Sequence, residues 1–206
     1  MKKIYFIRHG ETESNRQGIF RGTLDMPLSK NGLEQAGDLH RYFSLIPIDI
    51  VYSSPLQRAV RTAEIAFPTL PPVIDRLVDN LNLGDWSGKE KKKMQEEFPQ
   101  EWQRWIEEPE KMVFPGGEGL SDVYARVEKF LEKLTGLEQE NIAVVSHRSV
   151  IKVMLAAMTG LKDRYFWKFH LDNASVCLAF YTGELGFTLA KVNETHHLKE
   201  MIMEWY

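Results

Sequence analysis

The sequence predicts a three-layer α/β/α sandwich on a mostly parallel mixed sheet with an antiparallel edge strand. Three observations carry that expectation. Short apolar runs rich in β-branched and aromatic residues alternate with helical patterns along the whole chain. One of them, Ile142–Val145, is apolar throughout, as a strand covered on both faces must be. The last two runs flank Thr182–Gly186, whose Gly-Glu-Leu-Gly centre marks a hairpin at a sheet edge.

The elements follow in order. Ile4–Ile7 is the first strand. Ser29 is placed to cap a helix reaching about Leu45, with Pro47 beyond its end. Ile50–Tyr52 is the second strand; Pro55 falls at a first helical turn, where its missing N–H is harmless, and the helix Leu56–Ala66 runs on towards Pro68. Val73–Ile74 is a short third strand. Ser121–Leu134 carries Val123, Val127, Phe130, Leu131 and Leu134 at helical spacing and stops at Gly136. After Ile142–Val145, the helix Ser149–Met158 ends at Thr159-Gly160, and Ser175–Tyr181 and Phe187–Val192 form the hairpin.

Residues 80–119 break this rhythm. They are rich in Lys, Glu and Trp and contain Pro99, Pro109 and Pro115. The expectation is a partly helical excursion over one end of the sheet, a lid or site cover, with residues 1–206 forming one domain. The charge run Lys89–Lys93 reads as a solvated helix face.

Composition narrows the function classes. With 26 basic and 29 acidic side chains, the net charge of -3 argues against a general nucleic-acid binder. Hydrophobic residues at 43% and charged residues at 27% fit a folded globular chain. Cys177 is the single cysteine, which excludes an intramolecular disulfide framework and a cysteine-rich metal site and fits a reducing compartment. The apolar run Ile4–Ile7 is too short for a signal peptide, and no stretch approaches a membrane span. The expectation is a cytoplasmic protein with neither nucleic acid nor membrane as partner.

The chemistry gathers where strands end. In parallel α/β sheets, ligands bind outside the carboxyl ends of the strands. The first strand ends in Arg8-His9-Gly10-Glu11-Thr12, the second in Ser53-Ser54-Pro55-Leu56 with Arg58 and Arg61 just beyond, and Ile142–Val145 in Ser146-His147-Arg148. An arginine offers a planar fork for phosphate or carboxylate oxygens, and a histidine serves as nucleophile, base or acid. Singly these residues read as surface charges or packing histidines; their common position at strand ends points to an anion site.

Read together, the blocks Arg8–Thr12 with Asn15, Phe20–Ser29, Ser53–Ala59 with Thr62-Ala63, Gly84–Gly88, Pro115–Glu118 and Ser146-His147 resemble the histidine phosphatase superfamily, the phosphoglycerate-mutase-like fold. The resemblance implies that His9 attacks phosphorus and carries a phosphohistidine. It implies that Arg8, Arg58 and His147 surround the phosphoryl group, that Asn15 adds a hydrogen bond, and that Arg21 and Gly22 contact substrate, Arg21 on a carboxylate. No metal or other cofactor is required. Mutases carry a Glu-Arg segment and a longer insertion before Gly84, and neither is visible here. Trp102, Trp105, Glu108-Pro109, Phe114–Glu118, Phe166–Ser175 and Asn193–Leu198 are similar instead to the α-ribazole phosphatases and, above all, the metal-independent phosphoserine phosphatases.

One position departs from the family pattern. The glutamate that protonates the leaving oxygen is here Asn80, and an amide supplies no proton near neutral pH. Asp79 or Glu118 takes over the role, or the chain is a weak member that serves as regulatory or structural subunit of an active paralogue. His147 is followed by Arg148 where the family commonly has Gly, which alters the pocket rim. His196 and His197 read as exposed tail residues or specificity contacts, and His170 and Cys177 as structural. The expected activity is a phosphomonoesterase acting on a small phosphorylated metabolite, phosphoserine first. The edge hairpin and the apolar Met201–Met203 with Trp205 and Tyr206 suggest a homodimer or a heterodimer with a paralogue.

Overall fold

Alternate residues of the central strands divide between two apolar layers, and this alternation sets the architecture. A computed structural model describes residues 1–161, 163–200 and 204. In β1 (Lys2–Arg8), Ile4 and Phe6 face one layer while Tyr5 and Ile7 face the other. In β4 (Asn141–Ser146), Ile142 and Val144 join the first layer, and Ala143 and Val145 the second. A strand apolar on both sides needs helices on both sides. The first layer is closed by α6 (Leu120–Thr135) and α7 (Arg148–Thr159), the second by α2 (Lys30–Phe43) and α3 (Gln57–Ala66). Alanines 59, 63 and 66 give α3 a smooth face that lies close on the sheet.

The strand order is β3-β2-β4-β1-β5-β6. β1, β4, β2 (Ile50–Ser53) and β3 (Val73–Ile74) run parallel; β5 (Val176–Thr182) pairs antiparallel with β1, and β6 (Gly186–Glu194) with β5. The predicted sandwich with its antiparallel edge is the fold observed. Ser29 caps α2 as expected, its Oγ accepting from the Gly32 N–H at 3.1 Å.

Small shifts have local causes. Pro55 lies ahead of α3, not within its first turn, because Leu56 in extended conformation is the N-cap. A short helix α1 (Glu13–Arg16), which the sequence reading omits, is stabilised by the Asn15 side chain folding back to accept from the Thr12 N–H and hydroxyl. The 80–119 excursion contains α4 (Lys91–Glu97) and α5 (Pro99–Glu107), and its Trp86, Trp105 and Phe114 pack into the first apolar layer. Lys92 and Lys93 are solvated, but Lys91 is turned inward, correcting the reading of Lys89–Lys93 as one solvated face. Cys177 is buried in β5. The apolar 201–203 and 205–206 expected at an interface lie outside the described residues. Among those residues, no helix is long and apolar enough to cross a membrane.

Phe130 of α6 is fully buried and meets the Tyr52 ring edge-on at 5.5 Å. Phe130→Ala is expected to lower the unfolding free energy by about 3–5 kcal/mol in urea titration; a loss under about 1 kcal/mol would contradict this account of the core.

Candidate active site

Three neighbouring strands, β2, β4 and β1, end at the same edge, and backbone hydrogen bonding continues one residue past the ends of β2 and β1. Ser54 N–H donates to Val145 O and His9 N–H to Ser146 O, both at 3.0 Å. This brings the His9 and His147 rings to 5.1 Å between centroids. Arg8, His9, Arg58 and His147 are each no more than 2% exposed.

The loop after β1 is clamped onto the start of α2. The buried Glu11 carboxylate accepts from Ser29 Oγ at 2.7 Å and Asn31 Nδ2 at 3.1 Å, close to a helix N-terminus that favours negative charge. The backbones approach so closely that a Cβ on Gly10 would sit 2.6 Å from Gly32 O. Gly10 N–H donates to Thr62 Oγ1, and the His9 carbonyl accepts from Ala174 N–H and Asn173 Nδ2. The His9 ring is oriented by its Nδ1, 2.7 Å from Gly10 O. A carbonyl only accepts, so Nδ1 carries the proton and the Nε2 lone pair is free.

The arginines are held by main-chain carbonyls. Arg8 Nη1 donates to Leu171 O at 2.7 Å; Arg58 donates to Leu24 O at 2.7 Å and Gly22 O at 3.0 Å. Gly22 reaches this position with a φ of +52°, a left-handed conformation that glycine adopts without strain. Its carbonyl also accepts from Asn80 Nδ2 at 2.8 Å, which fixes the amide at the pocket wall. Arg61 pairs with Glu64 at the surface and does not reach the site.

The two acids considered in place of a glutamate at 80 have other partners. Asp79 Oδ1 accepts from Ser54 Oγ at 3.2 Å, and Ser54 Oγ lies 2.7 Å from His147 Nε2, so Asp79 is linked to His147 through a hydroxyl. Glu118 Oε2 accepts from Asn82 N–H at 2.8 Å and lies 3.6 Å from Arg126, away from the pocket lining. His197 packs on the Tyr42 ring with its Nε2 3.0 Å from Ala174 O, and is not the exposed tail residue expected. Neither it nor His196 lines the pocket.

Three residues at the site were not identified as such from the sequence. The Glu204 carboxylate sits inside the pocket, its Oε2 2.6 Å from Arg8 Nη2 and 2.8 Å from Asn15 Nδ2. Its Oε1 lies 2.8 Å from Lys91 Nζ, 3.2 Å from Arg21 Nη2 and 3.8 Å from Arg148 Nη2. Arg148 also donates to the Glu204 carbonyl at 2.7 Å, so it lies in the pocket and not on its rim. Phe20, Leu83, Trp105, Phe166 and Trp167 complete an apolar wall.

Electrostatics follow from burial. Burial pushes the Arg8 guanidinium down to about 10 and Arg58 down to about 9, so both stay charged at neutral pH. Burial brings Lys91 down to about 8. His9 and His147 are held well below the ordinary histidine value, first by burial, then by Arg58 and by the other charged or titrating neighbours. For Glu204, burial alone raises the carboxyl, but Arg148, Arg21, Arg8 and Lys91 outweigh it and keep the group ionised. Buried Nε of Arg8 and Arg58 and Nδ1 of His147 have no hydrogen-bond partner among the described residues. A site with excess buried positive charge and spare donors suits an anion carrying more charge than one carboxylate.

Comparison with known proteins agrees with this chemistry. A family model described as histidine phosphatase superfamily (branch 1) matches residues 4–195. Phosphoserine phosphatase 1 of Hydrogenobacter thermophilus is 38% identical over 208 residues, covering 99% of this chain and 98% of its own. The adenosylcobalamin/alpha-ribazole phosphatase of Escherichia coli K12 is 31% identical, covering 82% of this chain and 85% of its own. Among solved structures, YhfR of Bacillus stearothermophilus superposes with a TM-score of 0.90 at 26% identity, over 97% of this chain and all of that one.

The depressed histidines give a measurable signature. Below about pH 6.5 the unfolded chain takes up protons that the folded site refuses, so their contribution to stability is full above that pH and declines on acidification. Ring titration by NMR is expected to show His9 and His147 neutral at about pH 6 in the free protein; midpoints at or above the ordinary histidine value would contradict the site's electrostatics.

Proposed function

This chain belongs to the histidine phosphatase superfamily and is a phosphatase; on that premise we propose that it hydrolyses a small phosphomonoester, O-phosphoserine first, through a phosphohistidine on His9. The observation that carries this is the tautomer of His9. With Nδ1–H donating to Gly10 O, the Nε2 lone pair is left for a pocket that His9 lines together with Arg8 and His147, while the buried Arg58 lies close enough to shift both histidines. A neutral, oriented imidazole is the nucleophilic form.

The phosphoryl oxygens take hydrogen bonds from Arg8, Arg58 and Asn15. Phosphoryl transfer asks mainly for positioning and charge stabilisation, which these donors supply without a metal. His9 Nε2 forms a bond to phosphorus as the ester P–O bond breaks. The departing oxygen needs a proton, and we assign it to His147, whose Nδ1 has no hydrogen-bond partner among the described residues and whose Nε2 is tied through Ser54 to Asp79. In the free protein burial first and Arg58 second hold His147 neutral. A substrate entering as the phosphate monoanion passes its proton to His147 Nδ1, and the phosphate charge left beside Arg58 favours the imidazolium that then protonates the leaving oxygen. Water then attacks the phosphohistidine, His147 takes the water proton, and orthophosphate leaves with His9 restored. The 80–119 excursion serves as the cover that keeps bulk water out, with Leu83, Lys91 and Trp105 on its inner side. We take residues 1–206 as one domain that includes this cover.

The amide at Asn80 favours a second reading, a regulatory or structural subunit with a phosphate-sized pocket and little turnover. Acid catalysis by a placed carboxyl is worth about 10²–10⁴-fold.

Two measurements separate these readings. Purified protein is expected to release phosphate from O-phosphoserine and to form an acid-labile adduct that His9→Ala abolishes. Absence of both release and adduct across a panel of phosphomonoesters would overturn the enzyme reading. Asn80→Glu is expected to raise kcat by up to about 10²-fold over a turning-over wild type. A wild type inert until that substitution restores turnover would establish the subunit reading instead.

A further inference from the structure

The pocket holds one carboxylate on two sets of donors. Glu204 Oε2 faces Arg8 and Asn15, which belong to the proposed phosphoryl site; Oε1 faces Lys91, Arg21 and Arg148. We propose that Lys91 and Arg148, with Arg21, form a second anion subsite that selects phosphomonoesters carrying a carboxylate, and that Glu204 occupies both halves of the pocket in the free protein as an internal competitor. This rests on the phosphatase reading above and goes beyond it, naming what else the substrate carries and what it must displace.

The three cations come from three separate segments: Arg21 from the loop after α1, Lys91 from the first residue of α4, and Arg148 from the first residue of α7. Their side chains are only 10–13% exposed, yet they converge on one oxygen atom. Three buried like charges repel and each loses hydration, so the arrangement persists only with an anion at its centre. Arg148 is the first residue of α7, and its Nη1 is held on the Glu204 carbonyl at 2.7 Å. Among the described residues, Glu204 is the carboxylate that touches all three.

A carboxylate in this position cannot coexist with substrate. Arg8 Nη2 and Asn15 Nδ2, which it engages, are donors the phosphoryl oxygens need. With Glu204 in place, the remaining cavity is about 50 Å³, against roughly 300–1,000 Å³ for ordinary small-molecule sites. A phosphomonoester with a carboxylate replaces both contacts of Glu204 at once, the phosphoryl group on Arg8 and Asn15 and the carboxylate on Lys91, Arg21 and Arg148. A simple phosphate replaces only the first. Selection between them follows, because a ligand that brings no second anion to Lys91 and Arg148 forgoes their attraction.

Calorimetric titration of the full chain tests this, with inorganic phosphate and 2-phosphoglycolate as probes. Glu204→Gln, which keeps the side-chain shape, is expected to tighten both ligands about tenfold or more, since a pocket self-occupied nine-tenths of the time weakens apparent affinity tenfold. In the Glu204→Gln background, Lys91→Met and Arg148→Met are expected to weaken 2-phosphoglycolate at least tenfold while changing inorganic phosphate less than about threefold. Phosphate affinity unchanged or weakened in Glu204→Gln, with wild type binding phosphate, would overturn the competitor and leave the phosphatase reading standing. Equal losses for both probes in the Lys91 and Arg148 variants would overturn the subsite. No phosphate binding by any folded variant would overturn both.

Discussion

Burying Arg8 and Arg58 at the carboxyl edge of the sheet is the constraint on which the rest of the site depends. An isolated guanidinium taken out of water costs several kcal/mol, and neither arginine is compensated by an adjacent carboxylate alone. Main-chain carbonyls of Leu171, Leu24 and Gly22 take part of the hydrogen-bonding load, which requires two irregular segments to converge on the strand ends. What the carbonyls leave uncompensated is net positive charge. Burial first and that surplus second keep His9 and His147 neutral, and the surplus suits the pocket to an anion.

The fold serves this arrangement through the adjacency of β2, β4 and β1. Their parallel pairing fixes where each strand ends, and the two apolar layers hold the sheet between α2 and α3 on one side and α6 and α7 on the other. The contact between Gly10–Glu11 and Gly32 then sets the His9 loop against α2. Rigid strand ends place Arg8, His9 and His147 side by side. Long, charged side chains from the loop after α1, from α4 and from α7 supply the proposed second subsite.

Legibility in the sequence follows from distance along the chain and from how far a side chain must reach. The strands and the four long helices were readable because burial on two faces or one imposes a short-range pattern, as in Ile142–Val145 or Val123–Leu134. Arg8, His9, Arg58 and His147 were readable because each sits at a strand end or just beyond, in a block resembling the family. Lys91 was misread because a lysine among lysines carries no local mark of which one turns inward. Arg148 departs from the family pattern, and its position one residue after His147 indicated proximity but not direction. Glu204 meets Arg8 across 196 residues, and nothing near it in the sequence signals a destination. Glu118, suggested by its place in a family block, instead braces the 82–84 turn, and that follows only from the approach of two loops.

The central claim is that His9 Nε2 faces a phosphoryl site built by Arg8, Arg58, Asn15 and His147. A crystal structure of the protein soaked with orthovanadate tests it most directly, because vanadium adopts the five-coordinate geometry of phosphoryl transfer. The expected result is vanadium bonded to His9 Nε2, its equatorial oxygens on Arg8, Arg58 and Asn15. Vanadate bound away from His9, or held in the pocket with His9 Nε2 turned from it, would contradict the account.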